Sequence, residues 1–248
     1  MTGGAAQPNA FSTGSAIAYA GGGLAGQPNP NVDGVQGSGA GGQGWGNVDC
    51  PSPSGGQEDG FGTERGGYGG SGTVVVRYSI GSSAGTAKAS GGLISFYNSK
   101  VIHTFTSSVV FTTNAGFNET CEYVIIAGGG AGGSGGGMSG GGGSGVLKTA
   151  TTPINTPTST PHAVSVGNGG GCATTKGYYT STNSGPNVWS ASGIPSSVAF
   201  PAGTITSAGG GQGSAGSPTY VGSSNGFDWG TGGGAAGCLL YTSDAADE

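Results

Sequence analysis

The sequence predicts an all-β protein, an antiparallel β-sandwich interrupted by inserted glycine-rich segments. Three observations carry that prediction. Runs of β-branched and aromatic residues such as "TVVVRY" and "EYVIIA" recur along the chain and read as strands. Glycine makes up 61 of the 248 residues, against an average usage of about 7%. The glycine follows strands directly and lacks the three-residue period and abundant proline of collagen. With charged residues at only 7%, the chain is also unlike a charged disordered tail.

Taken in order, the elements expose a repeat. "AFSTGSAIAYAGGGLAG" at residues 10–26 returns as "AFPAGTITSAGGGQG" at 199–213, an offset of 188 to 189 residues. The expected organisation is therefore tandem. Residues 1–80 form the C-terminal part of a first glycine-rich unit, closed by the strand Thr73 to Tyr78. Residues 81–92, "GSSAGTAKASGG", are a small-residue linker, and residues 93–237 are the N-terminal part of a second unit. That unit opens with strands Leu93 to Tyr97, Val101 to Thr106, Val109 to Thr113 and Cys121 to Ala127. "NSK" and "TSS" read as tight hairpin loops, which makes an antiparallel meander the economical arrangement. "HAVSVGNGG" and "GTITSAGGGQG" each read as a short strand ending in glycines. Separated from its own unit's opening strands, Thr73 to Tyr78 is expected to pair into the sheet made by residues 93–127, since a twelve-residue linker spans up to ~40 Å.

Residues 238–248, "CLLYTSDAADE", match the translation of a transposon-end sequencing adapter and are read as foreign to the protein. Without Asp244, Asp247 and Glu248 the formal charge moves from −5 to −2, nearly neutral.

"EYVIIAGGGAGGSGG", residues 122–136, carries Gly128, Gly130 and Gly133 at the spacing of a dinucleotide fingerprint. The helix that should follow is absent from the sequence, and no acid stands near residue 150 to hold a ribose. No cofactor or metal site is expected. Ser134 sits in a formal nucleophile-elbow pattern that a glycine tract produces by chance, and no acid lies between it and His162. His103 is expected on the surface of a strand and His162 in solvent. Cys50, Cys121 and Cys172 lack the close spacing of zinc or redox motifs; buried thiols or a Cys121 to Cys172 bridge are both open. "ERGGYGG" is a single arginine-glycine box in a slightly acidic chain, so nucleic-acid binding is not expected. No stretch approaches the ~18 apolar residues of a membrane helix, so membrane insertion is not expected either.

The pieces "ISFYNSKVIHTFTSS", "EYVIIAGGGAGG", "AVSVGNGG", "ITSAGGGQG" and "GGSGTVVVRY" together resemble the glycine-rich domain that occurs, often in tandem, in tail-fibre and adhesin-like proteins of bacteriophages and environmental bacteria. The resemblance touches nearly all of residues 1–237. More loosely, the chain is similar to the glycine-rich extracellular domain of anaplastic lymphoma kinase, whose glycine runs pack as polyglycine II helices. That similarity implies such packing for residues 128–145 and 209–216, with φ about −75° and ψ about +145°; flexible linkers are the other reading of the same composition.

The resemblance further implies a non-enzymatic structural or receptor-binding component, located in a virion tail fibre or at a cell surface and oligomeric in the intact fibre, a trimer being one option. Its partner would be a cell-surface receptor, either a glycan or an outer-membrane protein. A bacterial surface or extracellular spacer is the alternative. The candidate receptor contacts are aromatic residues with polar neighbours in glycine-flanked loops: Trp45, Asn47, Tyr178, Tyr179, Trp189, Phe227, Asp228 and Trp229. Aromatic plugs that cap the scaffold are the competing role for the same residues.

Overall fold

The computed structural model describes residues 3–11, 14–24, 32–44, 66–81, 86–133, 139–171 and 190–214. In chain order its strands are β1 (Gln7–Asn9), β2 (Ile17–Tyr19), β3 (Thr73–Ser79), β4 (Ala89–Ser90), β5 (Leu93–Tyr97), β6 (Lys100–Phe105), β7 (Val109–Thr113), β8 (Phe117–Ile126), β9 (Leu147–Thr156), β10 (Thr160–Ser165), β11 (Ser196–Phe200) and β12 (Gly203–Ser207). No described residue is helical.

Two antiparallel five-stranded sheets face each other, with orders β5-β6-β3-β8-β9 and β12-β11-β10-β7-β4. Alternation along the strands builds the space between them. Val74, Val76 and Tyr78 of β3, Val101 and Phe105 of β6, and Tyr123 and Ile125 of β8 meet Phe111, Val164, Val198 and Phe200 from the opposite sheet. The other face of the first sheet is covered too. Val75, Ile102, Val124 and Ile126 pack under Phe11 and Tyr19 of the β1–β2 hairpin region. Phe11 lies over the Arg77 guanidinium at 3.5 Å, and that guanidinium is held by Glu122.

β3 sits at the centre of its sheet, antiparallel to β6 on one side and to β8 on the other. The strand that precedes the linker is therefore completed by strands that follow it. β5 and β6 form the expected hairpin, with Asn98 and Ser99 both at positive φ as a type I′ turn requires.

The meander does not continue. β7 pairs with β10 and β4 in the opposite sheet, so "TSS" carries the chain across the sandwich. A three-residue polar loop has the same composition in either role. Five strands had no clear signal. β1, β2 and β4 are only two or three residues long, and β4 lies within the expected linker 81–92. β9 is rich in threonine and contains Pro153, which an edge strand tolerates because its outer N–H positions need no partner. β11, "SSVAF", is short and hidden beside Pro195.

Candidate functional site: the glycine lattice

Where strands end, the chain does not turn back. β8 runs into residues 127–133, and residues 139–146 return to β9. β10 runs into 166–171, and 190–195 return to β11. β12 runs into 208–214, while 66–72 lead into β3. These segments lie side by side as a lattice joined through backbone hydrogen bonds.

Residues 127–133 form its central rod, and its donors rotate with a period of three. Gly128 and Ala131 donate to Ile194 and Ala191; Gly129 and Gly132 donate to Gly70 and Gly67; Gly130 and Gly133 donate to Gly143 and Gly140. Its carbonyls accept on the same period, from Gly210 and Gly213, from Gly170, and from Gly42. The rod thus has six neighbours, three that it donates to and three that donate to it, at N···O distances of 2.8 to 3.2 Å. A threefold extended helix has no internal hydrogen bonds, so every amide must find a partner rod. Among the described residues the glycines at positive φ are Gly14, Gly37, Gly39, Gly81, Gly91, Gly92, Gly116 and Gly203, none of which belongs to the central rod. The handedness is then one that L residues also adopt, and Ala131 stands in the rod beside glycine. The expected polyglycine II packing is thereby found over residues 128–133, 139–145 and 209–214; residues 134–138, 215 and 216 lie outside the described residues.

Glycine is required by space. A Cβ on Gly128, Gly129, Gly130 or Gly132 would stand 2.0, 2.1, 2.1 or 1.9 Å from a backbone oxygen of a neighbouring rod. Rods from both sides of the linker contribute: 40–44 and 66–72 from before it, the other four neighbours from after it. The hydrogen bonds also fix direction. Residues near the sheets pair with residues near the sheets, as Gly128 with Ile194, and distal ones with distal ones, as Gly133 with Gly140. All the strand-distal ends accordingly lie at one end of the lattice.

The eight candidate contacts Trp45, Asn47, Tyr178, Tyr179, Trp189, Phe227, Asp228 and Trp229 lie outside the described residues. In the chain, the segments that contain them attach to the strand-distal ends of rods 40–44, 66–72, 166–171, 190–195 and 208–214. Ser134 and Cys172 are likewise outside.

The two histidines correct the sequence reading. His103 and His162 are both buried in the sandwich. His103 Nδ1 lies 2.8 Å from the Gly91 carbonyl and its Nε2 3.3 Å from the Tyr78 hydroxyl, which in turn accepts from the Lys88 amide. His162 Nδ1 faces the Ala199 carbonyl at 3.2 Å, and its Nε2 faces Thr113 Oγ1 at 3.4 Å. The Phe111 ring stands between the two imidazoles. Burial lowers both histidine pKa values, opposed by the carbonyl each faces. Strand parity carried the signal: His103 alternates in phase with Val101 and Phe105, and His162 with Val164. Cys121 is a free, buried thiol pushed up to about 12 by burial. Among the described residues, no three or more His, Cys, Asp or Glu side chains come together.

A family model described as a glycine-rich domain matches residues 104–246. The chain belongs to that glycine-rich domain family. Within the matched residues fall the central rod and four of its six neighbours, so the lattice belongs mainly to the glycine-rich domain itself. The match also runs through residues 238–246 and does not set them apart from the domain. No curated protein and no solved structure matches the glycine-rich domain described here.

Proposed function

We propose that this glycine-rich domain is a non-enzymatic component of a phage tail fibre or adhesin, in which the lattice is a rigid pedestal and its distal end carries the receptor-binding loops. The observation that supports this reading is the common polarity of the rods, which joins all the candidate contact segments to one end of the lattice. Backbone groups saturated by one another offer little chemistry and much stiffness, which suits presentation over catalysis. Loops carried on a rigid scaffold are where recognition residues concentrate. The partner would be a surface glycan or an outer-membrane protein, since aromatic faces beside Asn and Asp suit either. The intact fibre would be oligomeric, with its place in a virion or at a cell surface. Residues 238–248 would be foreign sequence, and rereading the gene from an independently prepared library tests that point.

The test of function is attachment of the whole fibre to host cells, with Trp189 and Trp229 both replaced by alanine. Loss of attachment with an unchanged circular dichroism spectrum supports receptor binding. Unchanged attachment sinks that role and leaves the domain as an inert spacer in a surface protein. Tail and baseplate genes beside the coding sequence would favour the fibre; secretion and cell-wall genes would favour the spacer.

A further inference from the structure

Among the described residues the sandwich has four sheet edges, and three of them are blunted. β9 carries Lys148 and Pro153, and Lys148 Nζ donates to the Thr206 carbonyl of β12 at 2.5 Å, closing that side of the sandwich across both edges. β4 is two residues long and runs straight into Gly91 and Gly92, both at positive φ. Charge, proline and shortness are the devices by which proteins stop edge strands from pairing with other chains. β5, "LISFY", has none of them. It is five residues long and uncharged, and Leu93, Phe96 and Tyr97 are 73%, 50% and 52% exposed.

We propose that β5 is a self-association edge, through which a second copy of this chain pairs antiparallel about Ser95. The occupant follows from the sequence of the strand, which is palindromic in character. In that register Leu93 meets the copy's Tyr97, Ile94 meets its Phe96, and the two Ser95 residues face each other at the centre. Apolar side chains therefore oppose apolar side chains on both faces of the joint. On the inner face, Ile94 and Phe96 lie beside His103 and Val101 of β6. On the outer face, Leu93 and Tyr97 lie beside Thr104 and Lys100. No charge lies on the edge to be repelled, and Lys100, the charge beside it, is already paired with Glu122. The contact would fuse two five-stranded sheets into one of ten strands. The proposal is independent of the receptor reading and survives its failure.

Sedimentation velocity of the full chain tests it. Mass should rise with concentration from 23.4 kDa toward twice that value, and Phe96→Lys should hold the chain at the lower mass while keeping its far-UV spectrum. A second measurement does not depend on that variant folding. In a full chain with Cys50, Cys172 and Cys238 replaced by serine, Ser95→Cys should give a covalent dimer under mild oxidation, because directly opposed residues stand within ~5.5 Å. Leu93→Cys should not, since its own copy would lie four residues away, about 14 Å. A chain that stays at 23.4 kDa at every concentration overturns the proposal. So does association that survives Phe96→Lys in a folded variant, or cross-linking as efficient through Leu93→Cys as through Ser95→Cys.

Discussion

Replacing Gly130 by alanine asks whether the lattice, or merely its composition, holds the domain together. The new Cβ would stand 2.1 Å from the Gly211 carbonyl oxygen and 2.5 Å from its carbon, both backbone atoms that cannot rotate aside. Rod 208–214 must move, and with it the bonds Gly143 to Gly211, Gly210 to Gly128 and Gly213 to Ala131. Overpacking of this kind costs about 1–3 kcal/mol. Each weakened hydrogen bond adds about 0.5–1.5 kcal/mol. Against this, alanine restricts the unfolded chain and returns about 0.4–1 kcal/mol. The net expectation is a loss of about 4 kcal/mol, or a fall in Tm of roughly 8–16 °C for a domain of this size. Gly171→Ala is the matched control: it lies at the end of a neighbouring rod, with no described residue within 4 Å of its Cβ position, and should leave Tm unchanged or slightly raised. The assay is thermal unfolding of both variants by circular dichroism. Melting points within about 2 °C of each other would refute close packing as the reason for the glycine.

Further outcomes follow from other parts of the molecule. The folded-state pKa values of His103 and His162 lie below the unfolded value of 6.5, so stability is full above pH 6.5 and is lost as pH falls from there toward the folded values. Tm should therefore drop between pH 7 and pH 5, and a His103→Gln, His162→Gln chain should show a shallower drop; an identical slope would remove the histidines as its cause. Cys121, buried and pushed up to about 12, should resist iodoacetamide in the native protein and react once it is unfolded, as read by peptide mass spectrometry. Alkylation of the native chain at that residue would show that the core opens. A fragment beginning at residue 93 lacks β3 and rods 40–44 and 66–72, two of the six neighbours of the central rod, and should show no cooperative melt. A sharp transition in that fragment would make residues 93–214 self-sufficient.

What the sequence disclosed depended on how local the signal was. β5 and β7 could be read to the residue, because β-branched and aromatic runs bounded by polar turns report strands directly. Sheet membership could not be read, since it depends on whether "TSS" turns back or crosses over, and the core on the far side decides that. The histidines lie inside because strand parity outweighs their polarity: His103 shares the inward phase of Val101 and Phe105, and each imidazole finds a carbonyl partner there. That a strand should end in glycine was legible at "VIIAGGGAGG". Which rods become neighbours was not, because partners such as Gly129 and Gly70 are far apart in the chain and glycine carries no side chain to mark its fellow.

The threefold rotation of the donors along 127–133 sets a rule for how such a gene can change. One extra residue after Ala127 would turn every later amide by 120°, so that the amides of residues 128–133 would each point at the wrong rod and all six donor bonds would have to be found anew. Removing three residues takes out one turn, about 9 Å, and leaves the remaining amides aimed as before. Rod length in this lattice is quantised. Slippage of the coding sequence should be tolerated in steps of nine base pairs and resisted in steps of three, even though both keep the reading frame.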